Sequence, residues 1–574
     1  MGRVDSLRRQ GIALTVLALS LGLLAGCGGN NSENGAQQEG AASGGGAAPS
    51  SSAAASPSAA KEPTKIQIGN LFPNLDVNNP VMKELSVRTN TTFDLITVTG
   101  DRNQKFDLWL ASGDYPEDTL VLKPDYVEKY RTAGALMPLD DLIEQYGPNI
   151  KEKYGKYFDL LRSSDGHIYS LYVPKLSTEP SPLLQANFAV RYDVLEDAGY
   201  PEIKTFDQLY DLLNTFYESN PSIDGKETIP FAGFDYYGNG ADNLSSPTFD
   251  ASGLVNQGNF TIDDENNAQL LYSTDEMKRY YQFLSKLYNS NMLDKEFFTL
   301  NSEGLVKKIT EGRVLAGYFP SWWVQPEVEK VLRASGDYDH QYAYFPITFD
   351  SSAENKSFTS LMTRSNWNWV ISSKSKHPEE VMKLLDYIFS DEGQILINWG
   401  IEGRHFEVKD GKRTVLADFN EKKAANPDLQ WTETASPFMG TSIYLDHGTK
   451  LADGDYATPT TKESVISGYD DRTKEVLAKY GKEVWSDFLP KIQLMPALLY
   501  QLGDIEDVRA DMKRLQQAWL KDSPKIIFSK DEQEFDAKWD SMQKSLEKEG
   551  AAKATDAYEQ LWATTMERYQ TILQ

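Results

Sequence analysis

The sequence predicts an α/β protein with two lobes and a helical C-terminal region. Strand and helix patterns alternate from residue 65 to residue 199, which is typical of a parallel sheet flanked by helices. Roughly 510 residues follow a low-complexity start, and this is more than one hydrophobic core usually serves, so two lobes are expected. From about residue 470 onward the pattern changes to long helices.

Each element of the first half is predicted from a local signal. Alternating or continuous apolar residues predict strands, and 3.6-residue periodicity with capping residues predicts helices. The Asp165-Gly166 pair, followed by alternating residues, predicts a β-hairpin-like stretch. The predicted elements are strands at 65–69, 92–98, 119–122 and 185–192, helices at 80–89, 103–111, 126–131, 139–145 and up to Gly199, the hairpin-like stretch at 165–169, and long helices at 505–520 and 557–573.

The first 26 residues have the layout of a cleaved export signal. A basic start and an apolar run from Ile12 to Leu24 precede small residues and then Cys27, the single cysteine of the chain. The apolar run is too short to span a bilayer, which needs roughly 20 residues in helix. The pattern resembles a bacterial lipobox, in which the cysteine thiol receives a diacylglycerol. Cys27 is therefore predicted to be lipidated.

The segment after Cys27 is predicted to be a tether. Residues 28–60 are almost entirely Gly, Ser, Ala, Asn, Gln and Pro, a composition that cannot bury a core. We therefore expect residues 27–60 to form a flexible linker and folding to begin near Lys61.

The charge balance excludes some partners. The 574 residues include 58 Lys and Arg against 84 Asp and Glu, a net charge of -26. A nucleic-acid-binding protein needs a basic stripe, so neither nucleic acid nor direct adsorption to anionic lipid is expected. The 11 Trp, 30 Tyr and 25 Phe suit a protein that offers stacking surfaces to a polar ring-shaped ligand.

Eight short segments of the chain match, in the same order, segments of one known protein family. They are 106–118, 165–169, 190–193, 205–210, 369–372, 377–380, 400–403 and the terminal helix with Tyr558, Trp562 and Tyr569. In this order they resemble the large extracellular solute-binding proteins of ABC sugar importers. The resemblance is closest to the LplA-like lipoproteins of Gram-positive bacteria and to the alginate-binding proteins.

The resemblance implies a type 2 periplasmic-binding fold, in which two α/β lobes close on a sugar. It places crossings near 179–185 and 346–348. The N-terminal lobe is then predicted from 61–184 and 349–395, and the C-terminal lobe from 185–348 and 396–574, after the signal peptide 1–26 and the tether 27–60. The implied partners are an oligosaccharide, the membrane subunits of an ABC permease and, through the anchor, the outer face of the cytoplasmic membrane. The protein is expected to act as a monomer.

Aromatic side chains are the first candidates for the ligand site, because the C–H face of a pyranose packs on an aromatic ring. Tyr318, Trp322 and Trp323 follow an apolar strand and resemble the second-lobe aromatic platform of the family. Two adjacent Trp residues at a strand end point to opposite faces, so one of them is expected to stack on sugar. Trp367 is a further candidate, and Trp369, on the same face of its predicted strand, is assigned to the core.

Charged side chains are the second candidates. Lys123 and Asp125 follow the strand 119–122, and strand carboxyl ends face the cleft in α/β sheets. Glu179 lies near the first predicted crossing. Arg191 and Arg364 could pair with a uronate carboxylate through the planar guanidinium, although an internal salt bridge explains Arg191 equally well. Lys123, Asp125 and Glu179 each fit a solvated surface position equally well.

A calcium site is not predicted. Relatives often carry an Asp-rich loop, spaced like an EF-hand, before an Ile/Val-Pro pair. The equivalent stretch 220–230 keeps only Asp224 and Glu227 as carboxylates, and Lys226 intrudes. Calcium prefers six or more oxygen ligands, so we expect no calcium at this loop and no cofactor elsewhere.

An enzyme is not predicted either. The folded part contains no G-x-S-x-G, H-E-x-x-H, P-loop or G-x-G-x-x-G motif, and the five His residues lack ligand spacing. Two alternatives stay open: a secreted glycosidase, whose two carboxylates can be distant in the chain, and a wall-polymer-binding surface lipoprotein.

Overall fold

The structure is a computed structural model of the whole chain. It describes residues 62–70, 74–184, 186–233, 243–263, 265–351, 359–361, 367–426, 428–435, 445, 447–496 and 506–573. The predicted signal peptide, Cys27 and tether lie outside these residues. In the described part, no helix is both long enough and apolar enough to cross a membrane.

The strands and helices confirm the predicted α/β class. The strands are β1 Thr64–Asn70, β2 Thr91–Thr97, β3 Thr119–Leu122, β4 Ser170–Leu171, β5 Ala186–Arg191, β6 Ser222–Ile223, β7 Lys226–Glu227, β8 Ile229–Ala232, β9 Phe260–Ile262, β10 Ala268–Leu270, β11 Val314–Pro320, β12 Tyr342–Phe345, β13 Thr359–Leu361, β14 Asn368–Ile371, β15 Phe406–Lys409, β16 Lys412–Val415 and β17 Gln493–Met495.

The helices alternate with the strands in the first half and dominate the end of the chain. They are α1 Pro80–Thr89, α2 Arg102–Ser112, α3 Pro124–Thr132, α4 Asp140–Tyr146, α5 Pro148–Tyr154, α6 Tyr192–Asp197, α7 Phe206–Ser219, α8 Ser245–Ser252, α9 Asp275–Asn289, α10 Ser302–Thr310, α11 Ser321–Val324, α12 Lys330–Ser335, α13 Pro378–Phe389, α14 Asp391–Asn398, α15 Ala417–Ala425, α16 Leu429–Glu433, α17 Lys462–Gly468, α18 Asp471–Lys479, α19 Glu506–Ile527, α20 Glu532–Lys548 and α21 Ala551–Leu573. Short 3-10 helices lie at Gly155–Leu161, Leu271–Ser273 and Trp485–Phe488, and a π-helix lies at Gln325–Glu329.

Local signals explain where the first helices begin and end. The Asn79 side chain accepts a hydrogen bond from the Met82 backbone N–H at 2.9 Å, and Pro80 supplies a helical φ at the first position of α1. Helix α2 begins behind the Asp101 cap and ends at Gly113, whose φ of 75° is the left-handed conformation that favours glycine.

Two mixed sheets form the centres of the two halves. The first has the order β2-β1-β3-β14-β4, in which β1 pairs in parallel with β2 and β3, while β14 is antiparallel to both neighbours. The second has the order β12-β5-β11-β8, in which β8 is parallel to β11 and β5 is antiparallel to β11 and β12. The prediction favoured a parallel sheet, and it holds only for part of each sheet. In the first sheet, β14 arrives from the other half of the chain rather than through a local helical crossover, so its direction is not constrained to be parallel.

The predicted hairpin-like stretch at 165–169 differs from the structure. The Asp165-Gly166 turn forms, and the Ser163 N–H bonds to the His167 carbonyl at 2.8 Å. The strand begins only at Ser170, because its partner is β14 rather than the segment before the turn.

Two separate hydrophobic cores surround the two sheets. The first core contains side chains from Ile66 to Val173 and from Trp369 to Ala457. The second core contains side chains from Leu184 to Ile347 and from Val476 to Trp562. The helical C-terminal region therefore packs on the second sheet.

The packing differs from the predicted lobe boundary at residue 396. Leu396, Leu445 and Leu451 are buried in the first core, although the prediction assigned 396–574 to the C-terminal lobe. We propose that the chain crosses a third time, between Ala457 of the first core and Val476 of the second. The other predicted boundaries stay as proposals.

The last helix, α21, touches both halves. Tyr558 stacks on Phe260 with ring centroids 4.4 Å apart, and Trp562 is buried in the second core. Eleven residues beyond Tyr558, Tyr569 stacks on Tyr157 at 6.5 Å. Tyr157 belongs to the 3-10 helix that follows α5, next to the first core.

Candidate ligand-binding site

One edge of the first sheet brings an aromatic ring and two cations together. Strand β3 ends at Leu122 and is followed by Lys123, while the antiparallel β14 begins opposite Leu122 with Trp367 just before it. The Lys123 Nζ lies 5.8 Å from the centroid of the Trp367 ring, and the Arg102 Cζ lies 5.4 Å from it. We call Trp367, Lys123 and Arg102 the Trp367 cluster. Its ring is half-buried, so part of it remains open to solvent.

Asp125 lies beside this cluster in the first turn of α3. The residue is exposed to solvent, yet the protein atoms around its carboxyl desolvate it and raise its pKa above the ordinary value. Lys123 and Arg509 act in the opposite direction by attracting the charged form. Arg509 lies on α19 next to Val508 of the second core, so a charge from the second half of the chain acts on Asp125.

In the second sheet, Tyr318 lies near the carboxyl end of a strand, as Lys123 does in the first sheet. Tyr318 lies in β11 near its carboxyl end, and its ring is half-exposed with its edge against Phe188. Its hydroxyl donates a hydrogen bond to Oδ2 of Asp250 on α8 at 2.6 Å. A ring with its hydroxyl fixed by a carboxylate is a rigid surface for a sugar face.

The two predicted tryptophans of the second edge lie in a helix rather than at a strand end. Strand β11 ends at Pro320 and α11 begins at Ser321, so Trp322 and Trp323 are about 100° apart around a helix instead of on opposite faces of a strand. Trp323 is buried in the second core, and its indole N–H donates to Ser302 Oγ at 2.7 Å. We therefore leave Trp323 out of the proposed site. The side chain of Trp322 lies outside the described residues.

Arg191 forms the internal salt bridge that the sequence also allowed. It is 1% exposed, its guanidinium donates to both Asp193 oxygens at 2.6 and 2.7 Å, and it also donates to the Gly312 carbonyl. Nothing in this geometry leaves the guanidinium available to a ligand. We therefore leave Arg191 out of the site as well.

Glu179 is not brought to the cluster. Glu179 is exposed in the segment that connects the two sheets and pairs with Lys491 at 3.3 Å. Arg364 lies outside the described residues. Of the predicted set, the structure thus brings Lys123, Asp125 and Trp367 together, and it places Tyr318 on the other sheet.

Several residues of this region were missed from the sequence. Lys175 follows β4 by four positions, at the same carboxyl edge as Lys123, and the strand-end rule could have found it. Lys175 lies close enough to His447 to repel its charged form, and burial, the larger effect, lowers the pKa of His447 to about 4. Arg509 and Asp250 carried no local signal, because only the tertiary fold brings them to these edges.

The loop equivalent to the calcium loop of relatives is a tight hairpin. Strands β6 and β7 pair Ser222 with Glu227, and the Asp224-Gly225 turn has φ values of 50° and 74°, as a two-residue turn requires. Lys295 holds both oxygens of Glu227 at 2.8 and 3.1 Å. These residues do not fit a calcium ion. Within the described ranges, no three His, Cys, Asp or Glu side chains are grouped to hold a metal.

Calcium is therefore expected to leave the stability of the protein unchanged. An ion that binds the native state raises the unfolding midpoint, whereas here Lys295 already neutralises Glu227. We expect the midpoint to differ by less than about 1 °C between millimolar CaCl₂ and EDTA, with NaCl of equal ionic strength as the control. A rise of several degrees with CaCl₂ that EDTA reverses would contradict this prediction.

The sequence was compared with known proteins. Residues 80–395 match the family described as bacterial extracellular solute-binding protein. The fructooligosaccharide ABC transporter substrate-binding protein FusA of Streptococcus pneumoniae serotype 4 is 23% identical over 549 residues, which cover 93% of this chain and 94% of FusA. The polygalacturonan/rhamnogalacturonan-binding protein YtcQ of Bacillus subtilis strain 168 is 22% identical over 564 residues, which cover 91% of this chain and 98% of YtcQ.

Solved structures show the same fold. FusA of S. pneumoniae in complex with kestose superimposes with a TM-score of 0.63 at 17% identity, covering 88% of this chain and 99% of that structure. The alginate-binding protein AlgQ2 without calcium ion gives a TM-score of 0.57 at 20% identity, with coverages of 88% and 98%. These likenesses confirm the predicted fold and its helical C-terminal region.

Proposed function

This chain belongs to the family of bacterial extracellular solute-binding proteins, and from that premise we propose that it is the lipid-anchored substrate-binding subunit of an ABC importer. Its substrate is an oligosaccharide, captured between the two lobes and delivered to a permease. Cys27 carries the anchor on the outer face of the cytoplasmic membrane, and two or three acyl chains would hold the protein firmly there.

The observation that carries this proposal is the placement of the two aromatic edges. Trp367 at the edge of the first sheet and Tyr318 at the edge of the second are both half-exposed and both held by polar or charged neighbours. Sugars need this combination, because their C–H faces pack on rings while their hydroxyls require hydrogen-bond partners. The named ligands of FusA and YtcQ are also oligo- or polysaccharides, which supports the same class of solute here.

Lobe closure is the proposed mechanism. A ligand that contacts both sheets makes its full set of contacts only when the lobes are shut, so binding shifts the population toward the closed form. The three proposed crossings between the cores would act as the hinge. The permease then distinguishes loaded from empty protein by this change of shape.

The proposal is tested by thermal unfolding of the full-length protein in mild detergent with a panel of neutral and acidic oligosaccharides. A ligand at 100 times its Kd should stabilise the native state by about 2.7 kcal/mol and raise the midpoint. For the oligosaccharide that raises the midpoint, the Kd of the Trp367→Ala variant should be about thirtyfold higher, because a central aromatic contact contributes about 2 kcal/mol. Tyr338→Ala, which removes an exposed aromatic ring of the second half, is the matched control and should bind normally.

Chromatography of the glycan after incubation separates this function from the two alternatives. A binding protein returns the oligosaccharide intact, whereas release of shorter reducing fragments would indicate a glycosidase. Binding of long wall polymer without any compaction in solution scattering would favour the surface lipoprotein. No midpoint shift with any glycan would count against the oligosaccharide role.

A further inference from the structure

The Trp367 cluster is cationic in an acidic protein. The chain carries a net charge of -26, yet Lys123 and Arg102 both lie over the Trp367 ring. Two cations are thus held on one aromatic ring at the edge where the first sheet ends, beside Asp125. The net negative charge of the protein would repel a negatively charged ligand. Local cations at the binding site would offset this repulsion.

Lys123 is a poor choice of residue for the position it occupies at the start of α3. It is the N-cap of α3 and makes no side-chain capping hydrogen bond. Ser, Thr, Asp and Asn stabilise this position, whereas a cation is unfavourable beside the positive end of the helix dipole. A residue that is locally unfavourable is consistent with a role outside the fold.

The ammonium of Lys123 is also available for a ligand. It makes no salt bridge with any of the described carboxylates, and its neighbours are the face of Trp367 and the charge of Asp125. A ring face cannot accept all three N–H donors of an ammonium group. By contrast, Lys129, further along the same helix, is bound to Asp107.

We propose that the oligosaccharide is acidic, with the C–H face of a uronate residue on Trp367 and its carboxylate bound by Lys123. This inference rests on the proposed oligosaccharide-binding function and specifies its ligand class. A uronate offers both chemistries at once, a flat C–H face and a carboxylate at one end of the ring. A charge-assisted hydrogen bond from an ammonium is stronger than the bond a neutral hydroxyl would form. Arg102 and Arg509 add to the positive potential and offset the repulsion from Asp125.

The test is calorimetric titration of the full-length protein in detergent with matched pairs of ligands. The acidic probes are tetragalacturonate, tetramannuronate and tetraguluronate, and the neutral probe for each is its fully methyl-esterified form. We expect one acidic probe to bind at least about tenfold more tightly than its ester, since one charged hydrogen bond accounts for about that factor. Its affinity should fall when NaCl is raised from 50 to 500 mM, because salt screens the exposed charges.

Variants of Lys123 locate the effect. Lys123→Gln should weaken the acidic probe about tenfold more than it weakens the ester, while Lys123→Arg should stay within about threefold of the natural protein. Lys129→Gln is the matched control on the same helix and should bind both ligands normally. Unfolding midpoints of all variants identify any that fail to fold. If Lys123→Gln fails to fold, Lys123→Arg remains as a test, because it keeps the positive charge and should keep the preference for the acidic probe.

The outcomes separate this inference from the function on which it rests. Equal or tighter binding of the neutral forms, or of neutral fructo- or galacto-oligosaccharides, would overturn the acidic ligand and leave the oligosaccharide function standing. An acidic preference that Lys123→Gln does not reduce would overturn the role of Lys123. No binding of any glycan would overturn both.

Discussion

Trp519→Ala is expected to lower the free energy of unfolding by about 3–5 kcal/mol, because it empties a buried aromatic site. Trp519 on α19 is 1% exposed and stacks on Tyr272 with ring centroids 4.2 Å apart. Its indole N–H donates to the Tyr281 hydroxyl at 2.7 Å, and Tyr281 lies within 2.5 Å of Ser523 Oγ. The residue therefore connects the helical C-terminal region to α9 of the second half.

Urea unfolding followed by circular dichroism measures this change without depending on tryptophan fluorescence. Trp519→Phe is the matched control, since it keeps an aromatic ring at this position but loses the pyrrole part of the indole with its N–H. It should cost about 1–2 kcal/mol, for one buried hydrogen bond and a small cavity. A Trp519→Ala protein as stable as the control would mean that α19 does not depend on this contact for its packing.

Arg191→Met should destabilise the protein by about 3 kcal/mol and leave ligand affinity unchanged. Methionine fills a similar volume, but it leaves Asp193 and the Gly312 carbonyl without the guanidinium that holds them. The cost is placed at the lower end of the range for broken buried pairs, because Asp193 is 28% exposed and water can solvate it.

Arg88→Met is the matched control for Arg191→Met. Arg88 is 49% exposed and pairs with Glu84 on the surface, so its loss should cost less than about 1 kcal/mol. Denaturant midpoints measure the stability, and calorimetric titration with the glycan that the native protein binds measures the affinity. A stable Arg191→Met protein that binds its glycan weakly would return Arg191 to the ligand site.

Much of the fold could be predicted because its signals are local. The cap at Asn79, the glycine at 113 and the continuous apolar run of β3 each act within a few residues, and the corresponding elements form where they were expected. The direction of β14 could not be predicted in this way. It depends on a connection that returns from the second sheet, and no feature within β14 records this.

Site residues that follow the ends of strands could be predicted from the sequence. Residues whose role depends on distant packing contacts could not. Lys123 and Asp125 were found because they directly follow β3. The partner of Arg191 at Gly312 is 121 residues away, so burial and ligand contact could not be distinguished from the sequence. The aromatic run at 318–323 indicated an extended segment, yet the helix α11 begins inside it at Ser321.

The contact of α21 with both halves has a mechanical consequence. Between Tyr558, fixed on Phe260, and Tyr569, stacked on Tyr157, the helix is about 16 Å long. If the lobes rotate as proposed, a turn of roughly 10° about an axis near Tyr558 would carry Tyr569 about 3 Å across the first lobe. Such a displacement is enough to unstack the Tyr157 and Tyr569 rings. The stacking of Tyr569 on Tyr157 would therefore depend on the angle between the lobes.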